Sequence, residues 1–318
     1  MIGEDLLPSL HKIVDADNVR VHNPSDVIFV CGGPCDVQSI LPLSFRDLFM
    51  RLEADRIFPP AHYLMAEDIN AFFPAANYRD ILSLERDLAQ LSDLILLFSE
   101  SYGSAAELGA FAISEEIAER LIVLVDDKNF NDNSFVKLGP LQILAERYGD
   151  SAICVLHLAH LEMENARDFS GININNFTDL VNHSMVDRRR NIKEKSTFSK
   201  NVNGHILRFS VGIIQLYGAL DFDELHIILM DFQVDISTND LHNLLHCAKI
   251  IGWIAIEKLG TRTFFVANIE KKAASLPFNN QSIRRKEFEL ITRAFWKDTD
   301  AVRFGCISRA AAGFDQNV

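Results

Sequence analysis

The chain has 318 residues, 48% of them hydrophobic and 24% charged, with a formal net charge of −13, the make-up of a globular protein long enough for two cores. No run of eighteen apolar residues occurs, and the opening Met-Ile-Gly-Glu-Asp-Leu lacks the basic start and apolar stretch of a signal peptide, so a cytoplasmic protein that meets no membrane is expected. Cys31, Cys35, Cys154, Cys247 and Cys306 include no C-x-x-C pair, which argues against a disulfide framework and a cysteine zinc site. The charge is uneven: residues 1–150 hold 11 Lys and Arg against 25 Asp and Glu, residues 151–318 hold 20 against 19. The first part should repel a nucleic-acid backbone. The second carries Arg188, Arg189, Arg190 and Lys193, then Arg284, Arg285 and Lys286, which could meet a nucleic acid or another partner.

Val27–Cys31 is a β-branched run ending at Gly32-Gly33-Pro34, read as a first strand and a tight turn. Ser44 to Leu52 follows as an amphipathic helix, a weakly marked segment leads to Glu67-Asp68, and Ile81 to Leu91 shows helical spacing. Asp93 to Phe98 is a short apolar run, read as a buried strand, with a turn-rich loop at Ser99 to Gly103. Ser104 is expected to cap the next helix, which puts Glu107 at its third position. Leu121–Val125 is a strand ending in Asp126-Asp127, Leu138 to Tyr148 a helix, and Ala152 to Leu158 an edge strand. Strands alternating with helices predict an α/β, Rossmann-like parallel sheet with helices on both faces, closing near residue 160.

Residues 161–205, polar and rich in Asn, Lys and Arg, are expected to be a partly helical connection. From 206 to 318 the pattern changes: helices over Ile206 to Leu220, Asp223 to Phe232 and from Ser237 to about Ile250, then a hairpin turning at Gly260. Three helices and a hairpin are the order of a winged helix-turn-helix, suited to nucleic acid or a protein partner. Its third helix offers Lys249 as a lone cation between Leu241 and Lys249, poor equipment for reading bases.

Gly32-Gly33 permits close approach of a ligand to the backbone. The third glycine of GxGxxG and the phosphate-loop signature are both missing, which argues against a dehydrogenase and a motor ATPase. His242 and His246 stand at i, i+4 without the glutamate of HExxH, so no metal is expected. Two readings compete for Glu107. Ser104-x-x-Glu107 fits a capping box, in which the glutamate serves only the helix end. Alternatively Glu107 is a nucleophile at a strand end, with Glu67, Asp68 and Glu85 as acids in reach, as retaining glycoside chemistry requires.

The stretch Asp93-Leu-Ile-Leu-Leu-Phe-Ser-Glu-Ser-Tyr-Gly-Ser-Ala-Ala-Glu-Leu-Gly-Ala-Phe111, with Ile28–Gly33, Ile81–Glu85, Asp127–Phe135 and Gly139-Pro140, resembles the nucleoside deoxyribosyltransferase-like fold. It is more similar still to the effectors of that fold encoded beside bacterial retron reverse transcriptases, which carry a winged-helix module after the enzyme-like domain. The resemblance spans most of residues 25–150. It implies that Glu107 is the nucleophile and that Gly32, Gly33, Glu67, Asp68, Glu85 and Gly103 shape the pocket, along with Ser99, Glu100 and Ser104 around the loop. Tyr102 stands where the transferases carry an acid; Glu100, two positions earlier, is the nearest carboxylate. The implied function is that of a toxin in retron anti-phage defence, acting by abortive infection. It would cleave the N-glycosidic bond of a nucleotide, with NAD as the leading substrate and no further cofactor. The implied partners are the reverse transcriptase and its multicopy single-stranded DNA joined to RNA, with higher-order assembly open. A nucleotide-sensing DNA-binding regulator and a metabolic deoxyribosyltransferase are the alternatives.

Overall fold

The computed structural model describes residues 10–23, 25–36, 38–58, 61–65, 67–68, 73, 78–279 and 284–314. In chain order its strands are β1 (Arg20–His22), β2 (Val27–Cys31), β3 (His62–Met65), β4 (Leu94–Phe98), β5 (Leu121–Asp126), β6 (Ile153–Leu156), β7 (Lys195–Thr197), β8 (Ala219–Leu220), β9 (Ile254–Leu259), β10 (Arg262–Ala267) and β11 (Ala274–Ser275). The chain packs into two compact units, one of residues 26–73 with 81–193, the other of residues 1–25, 74–80 and 194–318.

The first unit is built on a five-stranded sheet of order β3-β2-β4-β5-β6, with every neighbouring pair parallel. Every residue of β2, β4 and β5 is buried, the mark of a parallel sheet covered on both faces. Phe111, from the Tyr102–Ile113 helix, packs toward Phe29, while Phe45 and Phe49 of the Phe45–Ala54 helix join Phe98 and Phe177 in a second aromatic cluster. The expected parallel α/β architecture is therefore present.

The expected boundaries at 160 and 205 differ from this division. The Ile174–Asn191 helix buries Phe177, Val181 and Met185 in the same core as Ile28, Leu96 and Ile122, so most of the presumed connection belongs to the sheet unit. β1 joins the other unit, because its partners are β7 and β11.

In the second unit the Asn203–Tyr217 helix is buried along almost its whole length. It is followed by the Phe222–Asp231 helix, the Thr238–Ile250 helix and the antiparallel hairpin β9–β10, to which β8 adds a third strand. This is the winged-helix order anticipated from the sequence. Arg285–Thr299 and Ala301–Phe314 complete the unit as helices. Among the described residues, no helix is long and apolar enough to cross a membrane.

Candidate active site

The chain leaves β2 for β3 on one side and returns to β4 on the other. That makes the gap between the carboxyl ends of β2 and β4 a topological switch point, where open α/β sheets hold ligands. Cys31 ends β2, Phe98 ends β4, and the predicted site residues follow both.

Glu100 is not free to bind a ligand there. Its carboxylate accepts the backbone N–H of Gly33 at 3.1 Å, of Phe45 at 2.8 Å and of Arg46 at 3.1 Å. It thus occupies the positive end of the Phe45–Ala54 helix, the place where a phosphate would otherwise dock. Burial raises its pKa, and the three N–H groups oppose the rise. The two glycines serve the same closure. A Cβ on Gly33 would lie 2.8 Å from Cβ of Ser44 and 3.0 Å from Cγ of Glu100; one on Gly32 would lie 2.8 Å from Cβ of Phe98 and 3.0 Å from Cβ of Arg46. What crowds these two Cβ positions is the protein's own side chains, which is a packing reason for both residues to be glycine.

The helix carrying Glu107 also starts earlier than expected. It runs Tyr102–Ile113 with Ser101 as the cap, whose side chain accepts Ser104 N–H at 3.1 Å, while Ser104 Oγ accepts Ser101 N–H at 3.0 Å. The capping box is therefore Ser101 with Ser104, and Glu107, a turn further on, takes no part in it. The capping-box reading of Glu107 falls, and so does the help of the helix dipole, which acts within the first turn. Ser104, Leu108, Phe111 and Ala112 form the buried stripe of the helix, and half-buried Glu107 flanks it.

Glu107 Oε2 is buried and has no hydrogen-bond partner among the described residues. Burial raises its pKa; the positive charge of Arg46 and the neighbouring Cys31 thiol oppose the rise, and the charge of Glu67 adds to it. Glu85, on the Ile81–Leu91 helix, is buried, and burial with the charges of Glu107 and Glu67 pushes its pKa up to about 7. Arg46 is 1% exposed and grips the Glu67 carboxylate with both terminal nitrogens, Nη1 at 2.7 Å, leaving its own Nε buried without a partner among the described residues. Glu67, Glu85 and Glu107 thus act on one another electrostatically, and Arg46 holds Glu67 and acts on Glu107. An orphaned buried acceptor beside a carboxyl group poised near neutral pH is a frequent mark of a functional site.

The remaining predicted residues make local contacts. Asp68 accepts the N–H of Met65 at 3.2 Å and caps the end of β3. Gly103 lies exposed in the first helical turn, where an added Cβ would meet nothing closer than Ser101 Oγ at 3.8 Å. Ser99 N–H bonds the carbonyl of Leu124 at 2.8 Å, which continues the sheet. Sequence reasoning missed Arg46 and Cys31. The signal for Arg46 was a cation directly after Phe45, at the start of an apolar helix face.

The basic cluster at 188–190 is largely structural. Arg188 is buried, with its guanidinium 4.6 Å from the Tyr148 ring and donating to the Ala118 carbonyl at 2.6 Å, and burial lowers its pKa to about 10. Arg189 pairs with Asp93 at 2.8 Å, and exposed Arg190 stands 3.7 Å from Asp187. Lys193, Arg284 and Lys286 are exposed, and Arg285 pairs with Glu289 at 2.8 Å. The His242 ring stacks on Phe222 at 3.9 Å. Among the described residues no group of three or more His, Cys, Asp or Glu could hold a metal ion.

Comparison with known proteins places this geometry in context. Residues 42–256 match the family described as STM3845 retron effector protein. Two Escherichia coli proteins are similar to the chain. The "Retron Ec73 putative ribosyltransferase/DNA-binding protein" is 31% identical over 153 residues, 46% of this chain and 47% of that one. The "Retron Ec86 putative ribosyltransferase/DNA-binding protein" is 31% identical over 167 residues, 49% of this chain and 52% of that one. The matched stretch spans about half the length of each relative.

Proposed function

Because the chain belongs to the STM3845 retron effector protein family, we propose that it is the toxic arm of a retron anti-phage system and cleaves the N-glycosidic bond of a nucleotide, NAD first among them. The names of its relatives speak of ribosyl transfer and DNA binding, and the observation that carries the reading is Glu107 Oε2, buried and unpartnered beside Glu85 and Arg46. Glu107 attacks the anomeric carbon as the bond to the base breaks. A pyridinium base leaves as neutral nicotinamide with the bonding electron pair and needs no proton. Water then displaces Glu107 from the sugar, giving its proton to the Glu85 carboxylate, and the ester oxygen returns to Glu107 as carboxylate. General-base assistance of this kind is worth about 10²–10⁴-fold. An unrestrained activity of this sort would kill the host. The proposed restraint is the retron reverse transcriptase with its RNA-linked DNA, engaged through the winged-helix unit.

Purified protein and Glu107→Gln, each mixed with NAD, ATP and deoxynucleosides, test the reading by chromatography of the released base. Release from NAD by the parent and a loss of about 10³-fold or more in the variant is the expected pattern for removal of a nucleophile. No base from any substrate, with or without the partner complex, would sink it.

A further inference from the structure

The small sheet β11-β1-β7 carries a charged face that no part of the proposed reaction uses. Its antiparallel register sets His22 opposite Lys195 and Arg20 opposite both Thr197 and Ser275. Directly paired residues, and residues two apart on a strand, share one face of a sheet, so these five side chains stand together, while Val21, fully buried, points to the other side. His22 Nε2 lies 2.8 Å from Ser275 Oγ, which fixes its ring on that face. Lys272 and Arg285 stand near enough for their charges to act on His22, with Glu194 as the opposing charge. Arg285 is tied to Glu289 and Arg20 donates to the carbonyls of Asp17 and Val19. Lys195 and Lys272 are exposed, and neither has an ion pair or hydrogen bond among the described residues.

Such a face is rich in donors, Lys, Arg, Ser and Thr, the side chains that contact phosphate oxygens and position a protein on a backbone without reading bases. It also lies in the same compact unit as the winged helix, whose third helix offers only Lys249 in its last turn against Asp240 in its first. We propose that the β11-β1-β7 face, through Lys195 and Lys272 with Arg20, Thr197 and Ser275, is a docking surface for the phosphate backbone of a nucleic acid. It gives the nucleic-acid partner proposed above its contact and rests on that part of the reading. The test uses bare DNA and no catalysis, so the two can fail separately.

Fluorescent single-stranded and duplex DNA are titrated with the full chain, the double variant Lys195→Gln/Lys272→Gln, and Lys249→Gln, over a range of salt. The double variant is expected to bind at least about tenfold more weakly at low salt and to lose about 2 from the salt slope, as two phosphate contacts would. Lys249→Gln should bind within about twofold of the parent, since Lys249 belongs to the Thr238–Ile250 helix and not to the proposed face. Base release from NAD, measured in parallel without DNA, should be the same in the double variant. The proposal is overturned if the parent binds neither DNA at low salt, if the double variant binds as the parent does, or if polyglutamate competes as well as DNA, which would make the face a site for an acidic protein.

Discussion

Glu67→Ala should destabilise the sheet unit by on the order of 3 kcal/mol, whereas Arg46→Met should cost little, although the two side chains form one ion pair. The asymmetry follows from where the partners sit. The Arg46 side chain is 2% exposed and that of Glu67 is 53% exposed. Removing Glu67 takes away both hydrogen bonds to the terminal nitrogens of a buried guanidinium and leaves it only the charge of Glu107, the expensive case. Removing Arg46 leaves the Glu67 carboxylate in water, eliminates a buried Nε that has no partner among the described residues, and leaves room for an apolar side chain of similar length; Glu107, which loses a positive charge, then takes up a proton more readily. The double variant should recover most of what Glu67→Ala loses. Calorimetry of the three proteins checks this, with a fall on the order of 10 °C expected for Glu67→Ala at about 2–4 °C per kcal/mol. Equal losses in both single variants would mean that the pair is held by something other than the burial of Arg46.

Glu85→Gln should lower the rate of NAD cleavage by about 10²–10⁴-fold and abolish its rise with pH. A base must be ionised, and burial with two neighbouring carboxylates holds Glu85 at about 7, so the parent should gain activity as pH rises through 7. An activity that falls through the same range would instead make Glu85 an acid protonating the leaving base, as an uncharged nucleoside requires and a pyridinium does not. Stability has the opposite slope. The folded-state pKa lies above the unfolded value of 4.5, so the folded chain holds the extra proton between the two. The stability that proton confers is complete below about 4.5 and lost as pH rises to about 7, up to about 3 kcal/mol at 1.36 kcal/mol per unit. Glu85→Gln should be the more stable protein above pH 7, and thermal melts across that range would show it.

The sheet was legible because β2, β4 and β5 up to Val125 are unbroken apolar runs, and the winged helix because its helices and hairpin follow one another locally. The β11-β1-β7 sheet gave no such signal: its strands are two or three residues long and pair across most of the chain. The Ile174–Asn191 helix was hidden because a narrow stripe of Phe177, Val181 and Met185 carries its packing amid polar residues. At the site, Glu107 and Glu85 were found from residue type and the family resemblance, and the structure draws them together with Glu67. The cap was displaced by three residues because Ser101 and Ser104 are both competent caps, and a Ser-Ser box lacks the acidic third position that usually marks one. The carboxylate of Glu100 was assigned to a ligand because nothing in a sequence tells which anion fills a helix start when the protein supplies its own.

A nucleophilic Glu107 must pass through a covalent bond to the sugar. Incubating the protein with a ribose-fluorinated N-glycoside, whose electron-poor sugar slows departure from the nucleophile, and mapping the product by peptide mass spectrometry would trap that bond. A pentosyl adduct on the peptide carrying Glu107, absent in Glu107→Gln, is the predicted result; base released with an adduct on another carboxylate would contradict it.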